Sequence, residues 1–292
     1  MQSALTHKPR LALVGVDDKE PADFAVVAAF RNAPALKLEV ELVHALPVPL
    51  NYYAHVDPLG VERAQQAAAE RWSGVLRDAG IIGAELERSL RTVPGRPADV
   101  LVERARDLDA GLIVLGRHQK RGPFEFGDVV REVIVRAPCP IWVQAGPPLP
   151  IRQVLCPLDL GPSSRAVLEL ARDVARACGA SLCVMHSFVR PELGYVLGYP
   201  LQFPASFVDE ARDSAEREFD ALLGSFDFGS VPHSRRFSEG SPAADILAAQ
   251  SEFELIVMGT HGRHALASAF MGSVAGDVLR EARVPVLVRR NL

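Results

Sequence analysis

The sequence predicts an α/β chain of two tandem domains, each a five-stranded parallel sheet with helices on both faces. Three observations lead there. First, short apolar runs such as Leu112 to Gly116 and Leu255 to Met258 alternate with longer stretches of helical spacing. Strands separated by helices make a parallel sheet, and unbroken apolar runs suit strands covered on both faces. Second, the chain is written twice, with five apolar segments returning in the same order about 142 to 145 residues later. Third, Ala145-Gly146-Pro147-Pro148-Leu149-Pro150 is a short stiff connection between the copies. The 292 residues suit two domains of ordinary size, placed at 1–146 and 151–292.

The repeats match segment by segment. Leu11 to Asp17 parallels Gln153 to Asp159, both apolar runs that end in aspartate. Leu42-Val43-His44-Ala45 parallels Val184-Met185-His186-Ser187, and Gly95-Arg96-Pro97-Ala98 parallels Gly240-Ser241-Pro242-Ala243. Leu112 to Gly116 parallels Leu255 to Gly259, and Cys139 to Val143 parallels Val284 to Val288. In the second copy a strand at Gln153 to Pro157 leads to a helix from Ser164 to Ala177, with Pro162 and Ser163 as start signals. A strand at Ser181 to Ser187 and a long helix from Ala205 to Leu223 follow. A strand at Ser234 to Ser238 precedes a helix opened by Pro242. The strand at Leu255 to Met258, a helix from Ser273 and a strand at Pro285 to Arg289 complete a Rossmann-like unit.

Composition narrows the function. Hydrophobic residues make up 48% and charged residues 23%, so a packed core is expected. A net charge of −4 argues against nucleic-acid or membrane-surface binding. No apolar run is long enough to span a bilayer, and Met1 to Arg10 lacks a signal-peptide layout, so a cytoplasmic location is expected. Cys139, Cys156, Cys178 and Cys183 have no C-x-x-C spacing and are expected as free thiols in apolar surroundings.

The chemistry-bearing stretch is Val257-Met258-Gly259-Thr260-His261-Gly262, followed after nine residues by Gly272-Ser273-Val274. It delivers two glycines at the end of a buried-type strand, then a glycine and a hydroxyl at a helix start. Glycine admits close backbone approach, and free N–H groups at a helix start favour an anion. The alternative is tight-turn geometry. Asp159, at the carboxyl end of its strand, reads either as a ligand carboxylate or as a cap or turn aspartate. Because Ser163 and Ser164 already offer caps, ligand contact is favoured. His186, at a strand end, reads as a packed or hydrogen-bonded core residue. There is no G-x-G-x-x-G after the first strand of either copy, no G-x-x-x-x-G-K-[ST] and no G-x-S-x-G. Histidines and acids show no metal-ligand spacing. Binding is therefore favoured over catalysis.

These residues resemble the universal stress protein family. Gly259, Gly262, Gly272 and Ser273 reproduce the family's G-x-x-G, nine residues, G-[ST] pattern, and Asp159 matches its first-strand aspartate. The resemblance covers both copies. It implies ATP, ADP or AMP as ligand, with Mg as an optional companion, and at most weak hydrolysis. By that likeness Asp159 faces the adenine or ribose, and the backbone near Pro157 and Ser187 frames the base. Met258 and Gly259 lie against the ribose and α-phosphate, while His261, Gly262, Gly272, Ser273 and Val274 hold the phosphates. Ala275 departs from the hydroxyl residue often found there. The likeness also implies that Ile141 to Val143 and Val286 to Val288 pair within one chain as a pseudo-dimer, leaving association of two chains open.

The first copy departs from the pattern. Gln119 replaces the second glycine, only seven residues separate it from Gly127, and Asp128 takes the place of Ser273. An aspartate there would satisfy the amides a phosphate would use and would repel it. Asp17, Lys120 and Arg121 remain. The expected role of this copy is structural.

Overall fold

In a computed structural model the described residues are 10–17, 19–46, 57–82, 89–117, 128–191, 195–196, 199–200, 203–260 and 271–290. The first domain runs β1 (Arg10–Val16), α1 (Glu20–Leu36), β2 (Leu38–Leu46), α2 (Pro58–Asp78), β3 (Leu90–Pro94), α3 (Pro97–Asp107), β4 (Leu112–Gly116), α4 (Asp128–Arg136) and β5 (Ile141–Gln144). The second runs β6 (Gln153–Pro157), α5 (Ser164–Cys178), β7 (Ser181–Phe188), a hairpin of β8 (Tyr195–Val196) and β9 (Tyr199–Pro200), and α6 (Ala205–Gly224). It continues with β10 (His233–Glu239), α7 (Pro242–Ala249) with a 3-10 turn at Gln250–Glu252, β11 (Leu255–Gly259), α8 (Ser273–Glu281) and β12 (Val286–Arg289). The hairpin and the 3-10 turn were not anticipated; two-residue strands carry no periodicity to read.

Local chemistry explains the boundaries. Helices α3 and α7 both open on a Gly-x-Pro step. Gly95 and Gly240 take φ of 142° and 156°, and the following prolines sit in the first turn, where a missing N–H costs nothing. Helix α5 puts Val167, Leu168, Ala171, Val174 and Ala175 on one buried face and stops at Gly179, which is left-handed at φ 66°.

Ten of the described strands form one sheet in the order β10-β7-β6-β11-β12-β5-β4-β1-β2-β3, and β8 and β9 pair only with each other. Within each domain the neighbours are parallel, and the first strand of each copy lies between its second and fourth. The domains join where β5 and β12 pair antiparallel, Val143 opposite Val286 and Ile141 opposite Val288. The expected intrachain pseudo-dimer is therefore present. Ile141, Trp142, Val143, Val286, Leu287 and Val288 are each at most 3% exposed. Burial of each such side chain is worth about 1.5–3 kcal/mol, so the seam is as much core as interface. The buried Gln144 beside it is satisfied: Trp142 Nε1 donates to its Oε1 at 2.8 Å, and its Nε2 donates to the Gly146 carbonyl at 2.7 Å.

Helices α1, α2, α5 and α6 cover one face of the sheet and α3, α4, α7 and α8 the other, and each apolar layer runs through both domains. Helix α1 packs on α5 across the seam. One charged group also crosses it. Arg117, directly after β4, is 8% exposed and donates Nη1 to the carbonyls of Arg280 (3.3 Å) and Ala282 at the end of α8. Burial holds its pKa below the usual arginine value.

Candidate functional site

In the second domain β6 lies between β7 and β11. The chain leaves β6 toward one side and later returns to the other, so the carboxyl ends of β6 and β11 frame a topological switch point. Open α/β sheets place ligand crevices there. Pro157 ends β6, with Asp159 just beyond it; Ser187 lies near the end of β7; Met258 and Gly259 end β11. Five of the expected site positions are thus gathered at one sheet edge.

The turn after β6 is tightly organised. Asp159 accepts hydrogen bonds from the Gly161 amide (3.2 Å) and the Ser164 hydroxyl (3.0 Å), both on Oδ1. The turn role is therefore realised for one oxygen, and neither expected serine caps the helix: Ser163, at the N-cap of α5, makes no side-chain cap, and Ser164 is spent on Asp159. No described group donates to Oδ2. Leu160 between them holds φ of 59°, a costly conformation for leucine that its buried side chain helps to fix. His186 is a core residue as expected. Its Nδ1 lies 2.8 Å from the Leu158 carbonyl, so that nitrogen carries the proton, and its ring packs against both Phe219 and Phe237.

Met258 is buried with the core beneath α7 and α8. The ends of the glycine segment are tied together: the Thr260 amide donates to the Arg289 carbonyl (3.0 Å), and the Gly272 amide donates to the Thr260 carbonyl (2.8 Å). Gly272 caps α8 in an extended conformation, Ser273 is exposed, and no acidic residue occupies the first turn. The amides of Ser273, Val274 and Ala275 lack i−4 partners, as at any helix start, and carry its partial positive charge. His261 and Gly262 lie outside the described residues, as do Gln119, Lys120, Arg121 and Gly127. In the first domain the corresponding helix begins with Asp128 itself.

Two residues escaped the sequence reading. Ser238 Oγ lies 2.7 Å from Asp245 Oδ2 and 3.1 Å from Ser187 Oγ. A hydroxyl has one proton, so Ser238 donates to the carboxylate and Ser187 donates to Ser238. This chain runs along the same sheet edge. The first domain has Ala45, Val93 and Val100 at the matching places. Comparing the two copies position by position would have exposed the difference.

The thiols are those of a core. Burial pushes Cys139 up to about 12 and raises Cys156 further, and all four cysteines are free. Among the described residues no group of His, Cys, Asp and Glu has the makings of a metal site, and no helix is long and apolar enough to cross a membrane.

Comparison with known proteins agrees with this architecture. The model of the universal stress protein family matches the chain twice, over residues 10–144 and 150–290. The chain belongs to the universal stress protein family. Universal stress protein Rv2005c of Mycobacterium tuberculosis is 30% identical over 303 residues, covering 97% of this chain and 99% of the relative. A second tandem relative from that organism, universal stress protein Rv2623, is 27% identical and covers 96% of each chain. The crystal structure of a universal stress protein from Archaeoglobus fulgidus shares the fold, with a TM-score of 0.67 at 19% identity, over 96% of this chain and 98% of the other.

Proposed function

We propose that this universal stress protein binds ATP or another adenine nucleotide in its second domain and acts as a nucleotide-dependent regulator. The observation that carries this reading is the asymmetry between two copies of one fold. At the switch point of the second domain, Asp159 keeps a carboxylate oxygen open, and α8 starts at Gly272-Ser273 with no acid in its first turn. The helix in the same place of the first domain starts with aspartate.

In this reading Asp159 Oδ2 receives a ribose hydroxyl or a base amine, and the backbone at Pro157 and Ser187 borders the base. Met258 and Gly259 adjoin the ribose and α-phosphate. The free amides of Ser273, Val274 and Ala275, with Gly272 allowing close approach at the cap, form the helix-start end of the phosphate seat, with His261 and Gly262 completing it from the loop. A magnesium ion would be held chiefly by the phosphates, since the described carboxylates do not cluster for it. No general base is needed for a bound signal, and none is assigned.

The test introduces the first domain's residue into the second. Ser273→Asp places a negative charge at the exposed start of α8. It favours the helix but competes with phosphate for the same amides. ATP affinity is expected to fall about tenfold, roughly 1.4 kcal/mol, with thermal stability unchanged or slightly raised. Equal affinity in wild type and variant would remove α8 from the site.

A further inference from the structure

The two copies differ again on the other face of the sheet, where α2 covers β2 and β3 of the first domain. In the second domain His186 on β7 is register partner of Phe237 on β10, with Phe219 of α6 against both rings. The matching trio in the first domain is His44 on β2, its register partner Thr92 on β3, and Trp72 of α2. Two phenylalanines have become groups with hydrogen-bonding atoms.

Those atoms are buried and unmatched. His44 Nδ1, Thr92 Oγ1 and Trp72 Nε1 are each shielded from solvent and bond to no protein group. Trp72 as a whole is 0% exposed. Register partners on parallel strands point to the same face, and the Trp72 ring meets His44 edge-on with centroids 6.0 Å apart. The copies also diverge at the histidine itself: His186 Nδ1 reaches the Leu158 carbonyl, whereas His44 Nδ1 makes no such bond.

Buried polar groups are almost always paired, with protein or with internal water, because leaving one unpaired is costly. Three on adjacent, mutually packed elements specify the missing partner's chemistry. It must accept from an indole N–H and can donate to an imidazole nitrogen and a hydroxyl oxygen. It must also fit where threonine stands for phenylalanine. We propose that the first domain holds a structural water site between His44, Thr92 and Trp72. The water accepts from Trp72 Nε1–H and donates to His44 Nδ1 and Thr92 Oγ1, three bonds in all, as is typical of internal water. His44 is then neutral with its proton on Nε2, the opposite tautomer to His186.

The experiment is a crystal structure at a resolution that orders internal waters, with a solution measurement of the Trp72 indole proton. The full chain contains only one other tryptophan, Trp142, whose indole is already bonded to Gln144 and serves as internal control. The expected results are one water within hydrogen-bond distance of all three atoms and a water cross-relaxation signal on Trp72 Hε1 that Trp142 lacks. In the double variant Trp72→Phe, Thr92→Phe, which copies the second domain, the water is expected to be gone and His44 Nδ1 to turn to the backbone. If that variant fails to fold, Thr92→Val, which keeps the volume, should weaken or lose the signal. A direct Trp72–His44 hydrogen bond, an empty site, or a signal unchanged in Thr92→Val would overturn the proposal.

Discussion

Gly116→Ala is expected to destabilise the protein by about 3 kcal/mol, near the upper end for overpacking. A Cβ at this position would lie 2.1 Å from the Pro21 carbonyl oxygen, 2.3 Å from its carbon and 2.9 Å from the Ala22 nitrogen. These are backbone atoms in the first turn of α1, so no rotamer change relieves the clash. The helix must move, and with it Ala22, Ala25 and Val26, all fully or nearly fully buried. Urea denaturation measures the loss. Gly74→Ala, in the C-terminal part of α2 with nothing near the added carbon, is the control, and there the change should stabilise by up to about 1 kcal/mol. A midpoint for Gly116→Ala equal to wild type would mean that α1 is not seated on β4 as described.

Arg117→Ala should cost about 2 kcal/mol, and the cost should appear in the other domain. The guanidinium serves the carbonyls at the end of α8, where a cation is favoured and where its removal strands buried acceptors. The penalty is not larger because the charge is itself desolvated. Equilibrium denaturation gives the total, and amide exchange over residues 273–281 should quicken selectively. Unchanged stability and exchange would show that the cation contributes nothing across the seam. The residue is also informative about the first domain. Its glycine pattern has decayed, yet the position after β4 is occupied by a strut for its partner. Retention of this domain thus has a structural reason that does not involve a ligand of its own.

Much of the fold was legible because the buried strands are short apolar runs whose order repeats. Segments that recur in register across two copies are hard to misread: Gln153–Pro157 was expected and found, and Ser234 to Ser238 differs from β10 by one residue at each end. The pairing of Ile141 to Val143 with Val286 to Val288 came from family likeness, and six apolar side chains at the seam explain it physically. The site was legible in its positions and less so in its bonding. Asp159 showed as a strand-end carboxylate, but whether Ser164 would cap α5 or bond to Asp159 depends on the left-handed Leu160, which no pattern announces. Glycine was ambiguous in a similar way. Gly116 and Gly259 occupy the same place in the repeat, and Gly116 is required by helix packing, with no ligand involved. The chain Ser187–Ser238–Asp245 and the trio His44, Thr92 and Trp72 join residues far apart in sequence, so only the register of neighbouring strands brings them together.

One nucleotide site in one of two similar domains means one nucleotide per chain, a stoichiometry that calorimetry measures. The purified chain is stripped of bound small molecules under mild denaturant, refolded, and titrated with ATP in a calorimeter. The prediction is a single site per chain whose affinity drops in Ser273→Asp. Two equal sites per chain would show that Asp128 does not close the first domain, and no heat with ATP, ADP or AMP would contradict nucleotide binding altogether.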